Sequence, residues 1–276
     1  MGQIFNELVL SDHDFQKFCQ LIYKTSGIHI HKDKKTLIYT RLSKIIRDRN
    51  IMSFGDYYDI VVKDKSGDEL THFLDAITTN LTYFFREHNH FEFLQNEIIP
   101  EIMKQKPGGR INIWSAGCSS GEEPYSIALT MKEYFPQLNV SILATDISSK
   151  VLKKAHKGVY SLSEFEKVPQ HMIKKYFQYG TGEWQGYYKV KNIIRDMITF
   201  KRISLLDTLG QLDRFDIIFC RNVLIYFDSV IQEQLIANFT YHLHPDGYLL
   251  TGHSESLFNL QHNLKYLKPT IYKKLK

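Results

Sequence analysis

Ile111-Asn112-Ile113-Trp114-Ser115-Ala116-Gly117-Cys118-Ser119-Ser120-Gly121-Glu122-Glu123-Pro124-Tyr125-Ser126 reads as an apolar strand, a turn of small residues and a helix that opens on two carboxylates. Gly117 and Gly121 permit close backbone approach and dihedrals that other residues avoid. Such a turn at a strand end describes a cradle for a nucleotide-type cofactor. No lysine follows it as in a phosphate-binding loop, and the glycine spacing does not give the dinucleotide fingerprint. Glu122 and Glu123 suit the free amides and dipole of a helix start, which is also an ordinary structural place for acids. Their charge argues against phosphate and suits a cofactor with a cationic end. That separates a methyltransferase from a dehydrogenase or an ATPase.

The grammar around this stretch is that of a doubly wound sheet. Pro107-Gly108-Gly109 is a turn, after which short apolar strands alternate with helices. Ile111–Trp114 precedes a helix from Glu122 to about Tyr134, and Val140–Ala144 precedes one near Ser149–His156. Phe215–Cys220 precedes a helix over Val230–Tyr241, and Tyr248–Thr251 follows Pro245-Asp246-Gly247. The pattern predicts an α/β fold with a mostly parallel sheet, closed by a hairpin at Tyr266–Leu267 and Thr270–Leu275. Residues 158–196 interrupt the rhythm. Their turn Gly180-Thr181-Gly182-Glu183-Trp184-Gln185-Gly186 and the following Tyr187-Tyr188-Lys189-Val190 predict a small inserted antiparallel β-subdomain. Its aromatic residues serve either packing or the docking of an extended peptide.

Residues 11–88 read as helical. Ser11 and Ser53 are N-cap candidates, and Gly27 and Gly67 are breaks. Phe15, Phe18, Cys19 and Ile22 recur at helical spacing, as do Ile38, Leu42 and Ile45. Phe54, Tyr57, Tyr58 and Val61 mark a third helix, and Leu70, Phe73, Leu74 and Ile77 begin a fourth. Between His31 and Asn50 seven Lys or Arg residues face only Asp33 and Asp48, a local excess as large as the +5 of the whole chain. Lys34, Arg41, Lys44 and Arg47 can share one side of the second helix. Basic charge confined to one window points to a particular acidic partner, or to a plainly solvated face, and not to a general polyanion binder. Phe91 to Met103 continues as an apolar helix. The predicted limit between an N-terminal helical domain and the α/β domain is at residue 88, giving 1–88 and 89–276.

At 276 residues and 43% hydrophobic content the chain can bury one large core and a small companion. No apolar run approaches the roughly 18–20 residues of a membrane span, and the first residues lack the basic-then-apolar pattern of a signal peptide. Cys19, Cys118 and Cys220 have neither metal-site nor disulfide spacing. A cytoplasmic protein with reduced thiols and no metal ligand set is expected.

Three further segments carry candidate chemistry. Asp146 ends the second strand, where an acid accepts both hydroxyls of a ribose or caps a helix. Arg221 and Asn222 close the buried run Ile217-Ile218-Phe219-Cys220, and polar groups there need partners or a ligand. Asn222 suits an adenine edge or a cofactor carboxylate, and Tyr226 a methyl path. Thr78-Thr79-Asn80-Leu81-Thr82-Tyr83-Phe84-Phe85-Arg86 is unusually rich in hydroxyls and rings for a plain helix, and Arg86 is a bidentate carboxylate holder or a surface cation.

Thr79-Asn80-Leu81-Thr82-Tyr83-Phe84-Phe85-Arg86-Glu87, Gly121-Glu122-Glu123-Pro124-Tyr125-Ser126, Ala144-Thr145-Asp146-Ile147 and Cys220-Arg221-Asn222-Val223-Leu224-Ile225-Tyr226-Phe227 jointly resemble the CheR family of chemotaxis receptor glutamate methyltransferases. The resemblance spans nearly the whole chain. It implies a Rossmann-like class I S-adenosylmethionine-dependent methyltransferase domain behind an N-terminal all-helical domain. The implied reaction transfers methyl from S-adenosyl-L-methionine to receptor glutamates, giving glutamyl methyl esters and S-adenosyl-L-homocysteine in chemotaxis adaptation. It implies cofactor contacts from Asn80, Thr82, Arg86, Glu123, Asp146, Ser204, Leu205, Arg221 and Asn222, beside Gly117 of the glycine turn. Tyr226 would lie near the reacting centre and, with Arg86, serve catalysis. Many relatives have Asn-Leu at Ser204-Leu205; a backbone contact survives that change and a side-chain amide contact does not. The implied partner is the cytoplasmic domain of methyl-accepting chemotaxis receptors, approached by the basic helix and by a receptor C-terminal tether peptide at the β-subdomain. That places the protein in the cytoplasm, recruited to receptor arrays at the inner membrane, without nucleic acid or membrane insertion. An RNA methyltransferase and a non-catalytic binding protein are the competing readings.

Overall fold

The computed structural model describes residues 8–78, 80–207 and 212–275. Thr79 of the quoted motif lies outside them, as does the chain start on which the expectation of no signal peptide rests. No helix among the described residues is long and apolar enough to cross a membrane. The chain forms two compact units: one holds residues up to 78 together with Tyr226–Asp228, and the other holds the remainder from Asn80. The division comes ahead of the expected limit at 88, because Phe84 and Phe85 belong to the core of the second unit.

The first unit contains α1 (Asp12–Ser26), α2 (Lys35–Asp48), α3 (Phe54–Lys63) and α4 (Asp68–Ile77). Ser11 and Ser53 cap α1 and α3, each hydroxyl oxygen accepting the N–H three residues on, at 3.0 and 3.1 Å. Phe18, Tyr57 and Phe73 pack as rings at the centre. The buried stripe of α2 runs through Ile38, Leu42 and Ile46, while Ile45, expected on it, is half-buried. Arg41 also leaves its expected place: its guanidinium donates to the carbonyl of Ile77, the last residue of α4, where a cation meets unpaired carbonyls and the negative helix end. Lys35 and Arg49 pair with Asp12 and Glu69. Lys32, Lys44 and Arg47 remain exposed. Within this unit the His29 N–H donates to the carbonyl of Tyr226 at 2.8 Å, and the Tyr23 hydroxyl to Asp228 at 2.8 Å.

The second unit opens with α5 (Asn89–Phe93), a π-helical turn at Leu94–Ile98, and α6 (Ile99–Gln105). There follow β1 (Ile111–Ala116), α7 (Glu122–Tyr134), β2 (Val140–Asp146), α8 (Ser149–Lys157), β3 (Val159–Ser161), α9 (Gln170–Tyr176), β4 (Phe177–Tyr179), β5 (Tyr187–Val190) and α10 (Asn192–Arg195). The chain closes with β6 (Ile198–Arg202), β7 (Phe215–Cys220), α11 (Ser229–His242), β8 (Leu243–Thr251), β9 (Leu264–Lys268) and β10 (Ile271–Lys274). Seven strands form one sheet in the order β6-β2-β1-β7-β8-β10-β9. β1 runs parallel to β2 and β7, and β10 runs antiparallel to both β8 and β9. The strand order reverses between β1 and β7, which is where open α/β sheets bind ligands beyond their carboxyl ends. Every residue of β7 is buried, as expected of a parallel strand covered on both faces.

The insert forms a separate sheet in the order β3-β5-β4, with antiparallel pairing. Its aromatic cluster anchors the segment that follows Asn80. Phe84 is fully buried, stacked on Phe165 at 5.2 Å between ring centres and edge-on to Tyr160 at 5.0 Å. Phe84→Ala is expected to cost about 3–5 kcal/mol, as large-to-small core changes of this type do. Urea unfolding followed by circular dichroism checks this, and a loss below about 1 kcal/mol would contradict the anchoring role.

Candidate cofactor and substrate site

The glycine turn is held by the strand beside it. The N–H groups of Gly117 and Cys118 both donate to the Thr145 carbonyl at 2.8 Å. Gly117 has φ +83°, and a Cβ there would come within 2.4 Å of the Val223 side chain. Gly121 has φ +99° and would meet the Tyr160 hydroxyl at 2.8 Å. Neither position admits another residue without displacement. Asp146, at the end of β2, accepts the Ser119 N–H at 2.8 Å through one carboxylate oxygen and the Ser148 N–H at 2.9 Å through the other. It ties the turn to β2.

The two acids that open α7 separate in function. Glu122 is buried and accepts the Ser120 hydroxyl, with Lys154 at 3.6 Å; burial raises its carboxyl above the ordinary value. Glu123 turns toward the sheet end, where Ser115 donates to it at 2.7 Å and Arg221 lies 3.3 Å away. Burial raises the Glu123 carboxyl as well, with Arg221 and Ser115 opposing. Of the pair, only Glu123 pairs with Arg221.

Arg221 follows β7, and its side chain is 2% exposed. The guanidinium meets Glu87 at 3.1 Å and Glu123 at 3.3 Å, and donates to the Arg86 carbonyl. Burial works to raise the Glu87 carboxyl, but Arg221, the His253 N–H and the Asn222 amide outweigh it, so its net shift is downward. Asn222 sits at φ 58° and donates its side-chain amide to Glu87 at 3.3 Å and its N–H to Glu255 at 2.6 Å. Glu255 also accepts the N–H groups of Gly252 and Ile225, at 2.6 and 3.2 Å. A Cβ on Gly252 would fall 2.6 Å from the Asn222 amide nitrogen. The sequence singled out neither Glu87 nor Glu255 as a functional residue. Gly252-His253-Ser254-Glu255 after a buried strand was the available signal.

Asn80–Arg86 is fastened to the same place. The Ser119 hydroxyl donates to the Asn80 carbonyl at 3.3 Å, and the Phe85 N–H to the Ser126 hydroxyl at 2.9 Å. Arg86 is half-buried; its guanidinium donates to the Leu81 carbonyl at 2.8 Å and lies 5.7 Å from the Tyr83 ring centre. Thr82 is half-buried nearby in sequence. Ser204 and Leu205 follow β6, and the preceding Ile203 N–H donates to the Asp146 carbonyl at 3.2 Å. Hydrogen bonds and ion pairs thus link Arg86, Glu123, Arg221 and Asn222 in one network, and Ser119 joins Asn80 to Asp146 beside Gly117 in the turn. Tyr226 clusters with the helical unit.

The donor set fits a cationic cofactor with a ribose. Glu87, Glu123 and Asp146 present three carboxylates, against which Arg221 is the one buried arginine among the described residues. A family model described as the CheR methyltransferase SAM binding domain matches residues 80–273, and the CheR methyltransferase all-alpha domain matches residues 13–78. A chemotaxis protein methyltransferase of Borreliella burgdorferi is 38% identical over 273 residues, covering 96% of this chain and 95% of the relative. Proteins of the same description from Salmonella typhimurium and Escherichia coli are 37% and 34% identical, each covering 98% of this chain and 93% of the relative. With both halves of the chain matched and the strand-end site in place, the protein belongs to the CheR methyltransferase family and uses S-adenosylmethionine as its cofactor.

Proposed function

We propose that the enzyme esterifies glutamate side chains of chemotaxis receptors. The observation that carries this is the fastening of Asn80–Arg86 to the glycine turn and α7, which brings a half-buried arginine to a cradle rich in carboxylates. Glu123 would face the cationic part of the cofactor, and Asp146 its ribose. Asn222 would meet the adenine edge or the cofactor carboxylate, and the Gly117 backbone would give close approach; Asn80, Thr82, Arg86, Ser204, Leu205 and Arg221 complete the proposed contacts. S-adenosylmethionine supplies a methyl group on cationic sulfur, which a carboxylate accepts to become a neutral ester. A glutamate with an ordinary pKa of about 4.3 is already ionised at neutral pH, so the site needs no general base. Arg86 would hold the incoming carboxylate in one orientation, a placement task, and Tyr226 would shape the approach to the methyl group.

Labelled methyl transfer onto receptor-bearing membranes tests the reaction, with alkaline release of volatile methanol as its signature; base-stable label would rule out a glutamyl ester. Arg86→Ala is expected to lower kcat/KM by about 10²–10³, the scale of losing one placed charge donor, with Arg86→Lys recovering part. Near-wild-type turnover of a folded Arg86→Ala enzyme would remove that role.

Two surfaces support recognition of a receptor. Lys44 and Arg47, neighbours at i, i+3 on α2, are exposed basic residues of the helical unit, as is Lys32, and they suit an acidic helix of a receptor. Reversing Lys44 and Arg47 to Glu is expected to raise KM for receptor several-fold, more at low salt, and to leave cofactor affinity unchanged in calorimetry. On the β-subdomain a groove of about 440 Å³ is lined by Tyr179, Trp184, Tyr187, Tyr188 and Lys189 among others. An extended tether peptide can pair with an edge of the three-stranded sheet and seat aromatic side chains there. The chain has two tryptophans, Trp114 fully buried and Trp184 largely exposed. A receptor C-terminal peptide is therefore expected to shift tryptophan emission in the wild type and not in Trp184→Phe. An unchanged wild-type spectrum with no binding by calorimetry would refute the tether site.

A further inference from the structure

At Glu87 the site borders a second cluster, whose two histidines, His90 and His253, the methyl-transfer reading does not use. His90 is fully buried, and its two ring nitrogens are unlike. The Thr270 hydroxyl donates its only proton to the Pro269 carbonyl at 2.6 Å, so the 2.8 Å contact between Thr270 and His90 Nε2 must be donated by the imidazole. That fixes the Nε2–H tautomer and leaves Nδ1 as a bare lone pair. Nδ1 has no hydrogen-bond partner and is shut off from solvent. It lies 3.6 Å from Glu87 Oε2, and His253 Nε2 lies 3.9 Å from the same oxygen.

We propose that Glu87, His90 and His253 bind a transition-metal ion of the zinc type, with two imidazoles and one carboxylate as ligands. One donor atom from each residue lies within 4.8 Å of the other two. Bond lengths of about 2.0–2.2 Å put the ligand atoms of a tetrahedral ion roughly 3.3–3.5 Å apart. Glu87 and His90 are nearly at that separation already. His253, on the loop after β8 and with its side chain 53% exposed, supplies both the remaining movement and the entry path. The Thr270 bond to Nε2 is the outer support that metal-bound imidazoles ordinarily have. Asn89, 3.2 Å from His253 Nε2, would give up that contact to the ion.

Arg221 selects among ions. Its guanidinium shares Glu87 Oε2 at 3.1 Å, and its charge opposes any cation bound there. A hard ion such as Mg²⁺ or Ca²⁺, which prefers oxygen ligands, gains little from two imidazoles. Zn²⁺, Ni²⁺ and Co²⁺ gain directly from imidazole nitrogen. The spacing of Glu87 and His90 in the sequence gave no sign of the site, because the third ligand, His253, lies 166 residues after Glu87.

The test uses the full-length, untagged protein, stripped with chelator and titrated by calorimetry with ZnCl₂, and with CoCl₂ while the visible cobalt bands are followed. One ion per chain is expected, with micromolar affinity and cobalt bands of low coordination number. His253→Ala should weaken binding by about tenfold or more, as loss of support around a metal does at the least, with an unchanged circular dichroism spectrum. Because His253 is exposed, this variant tests the site without disturbing the core. Absence of saturable binding, an unchanged affinity in His253→Ala, or equal affinity for Mg²⁺ would each overturn the proposal.

Discussion

A guanidinium withdrawn from water at the end of a parallel strand must have its charge answered nearby, and Arg221 has it answered from three sides. Glu87 and the Arg86 carbonyl come from the segment before α5, and Glu123 from the first turn of α7. Removing one partner of such a buried pair typically costs about 3–5 kcal/mol, because the other charge stays behind uncompensated. Segments far apart in sequence are thereby held to one another by a single side chain. Arg221 fixes where Arg86 leaves the backbone, how Glu123 is turned, and where the chain goes after β7.

The surrounding backbone is consistent with that constraint. Phe85, Glu87, Ser119 and Asn222 all have positive φ without being glycine. Each such residue costs on the order of 1–3 kcal/mol and persists only where its surroundings over-determine it. Here the determinants are visible: Ser126 on the Phe85 N–H, Arg221 on Glu87, Asp146 on the Ser119 N–H, and Glu255 on the Asn222 N–H. Three of these four determinants are charged side chains. The site is rigid through its polar bonds, and its carboxylates outnumber the buried cation they surround. A positively charged cofactor group completes that balance, whereas a phosphate would worsen it.

Much of this was legible in the sequence wherever the signal is local. Strand ends followed by polar residues marked Asp146 and Arg221-Asn222, and the small-residue turn marked Gly117. Ser11 and Ser53 announced helix starts, and glycine turns with alternating aromatics announced the inserted sheet. What the sequence hid depends on contacts between distant residues. Glu87 looked like a neighbour of Arg86, yet its role is set by Arg221 and Asn222, more than a hundred residues on. Glu255 is defined by the N–H groups it collects from a different loop. Arg41 looked like one more cation of a basic face until the end of α4 came into reach. Glu122 and Glu123 looked equivalent because adjacency in sequence says nothing about opposite sides of a helix start.

The central claim is that the fork of Arg221, and not its charge alone, organises the cofactor cradle. Its three nitrogens address different acceptors, an arrangement a lysine cannot reproduce. The direct measurement is the affinity of S-adenosylmethionine for Arg221→Lys by calorimetry, with circular dichroism as the check on folding. A folded variant that binds the cofactor at least about tenfold more weakly is predicted, equivalent to roughly 1.4 kcal/mol. A folded variant with wild-type affinity would contradict the account.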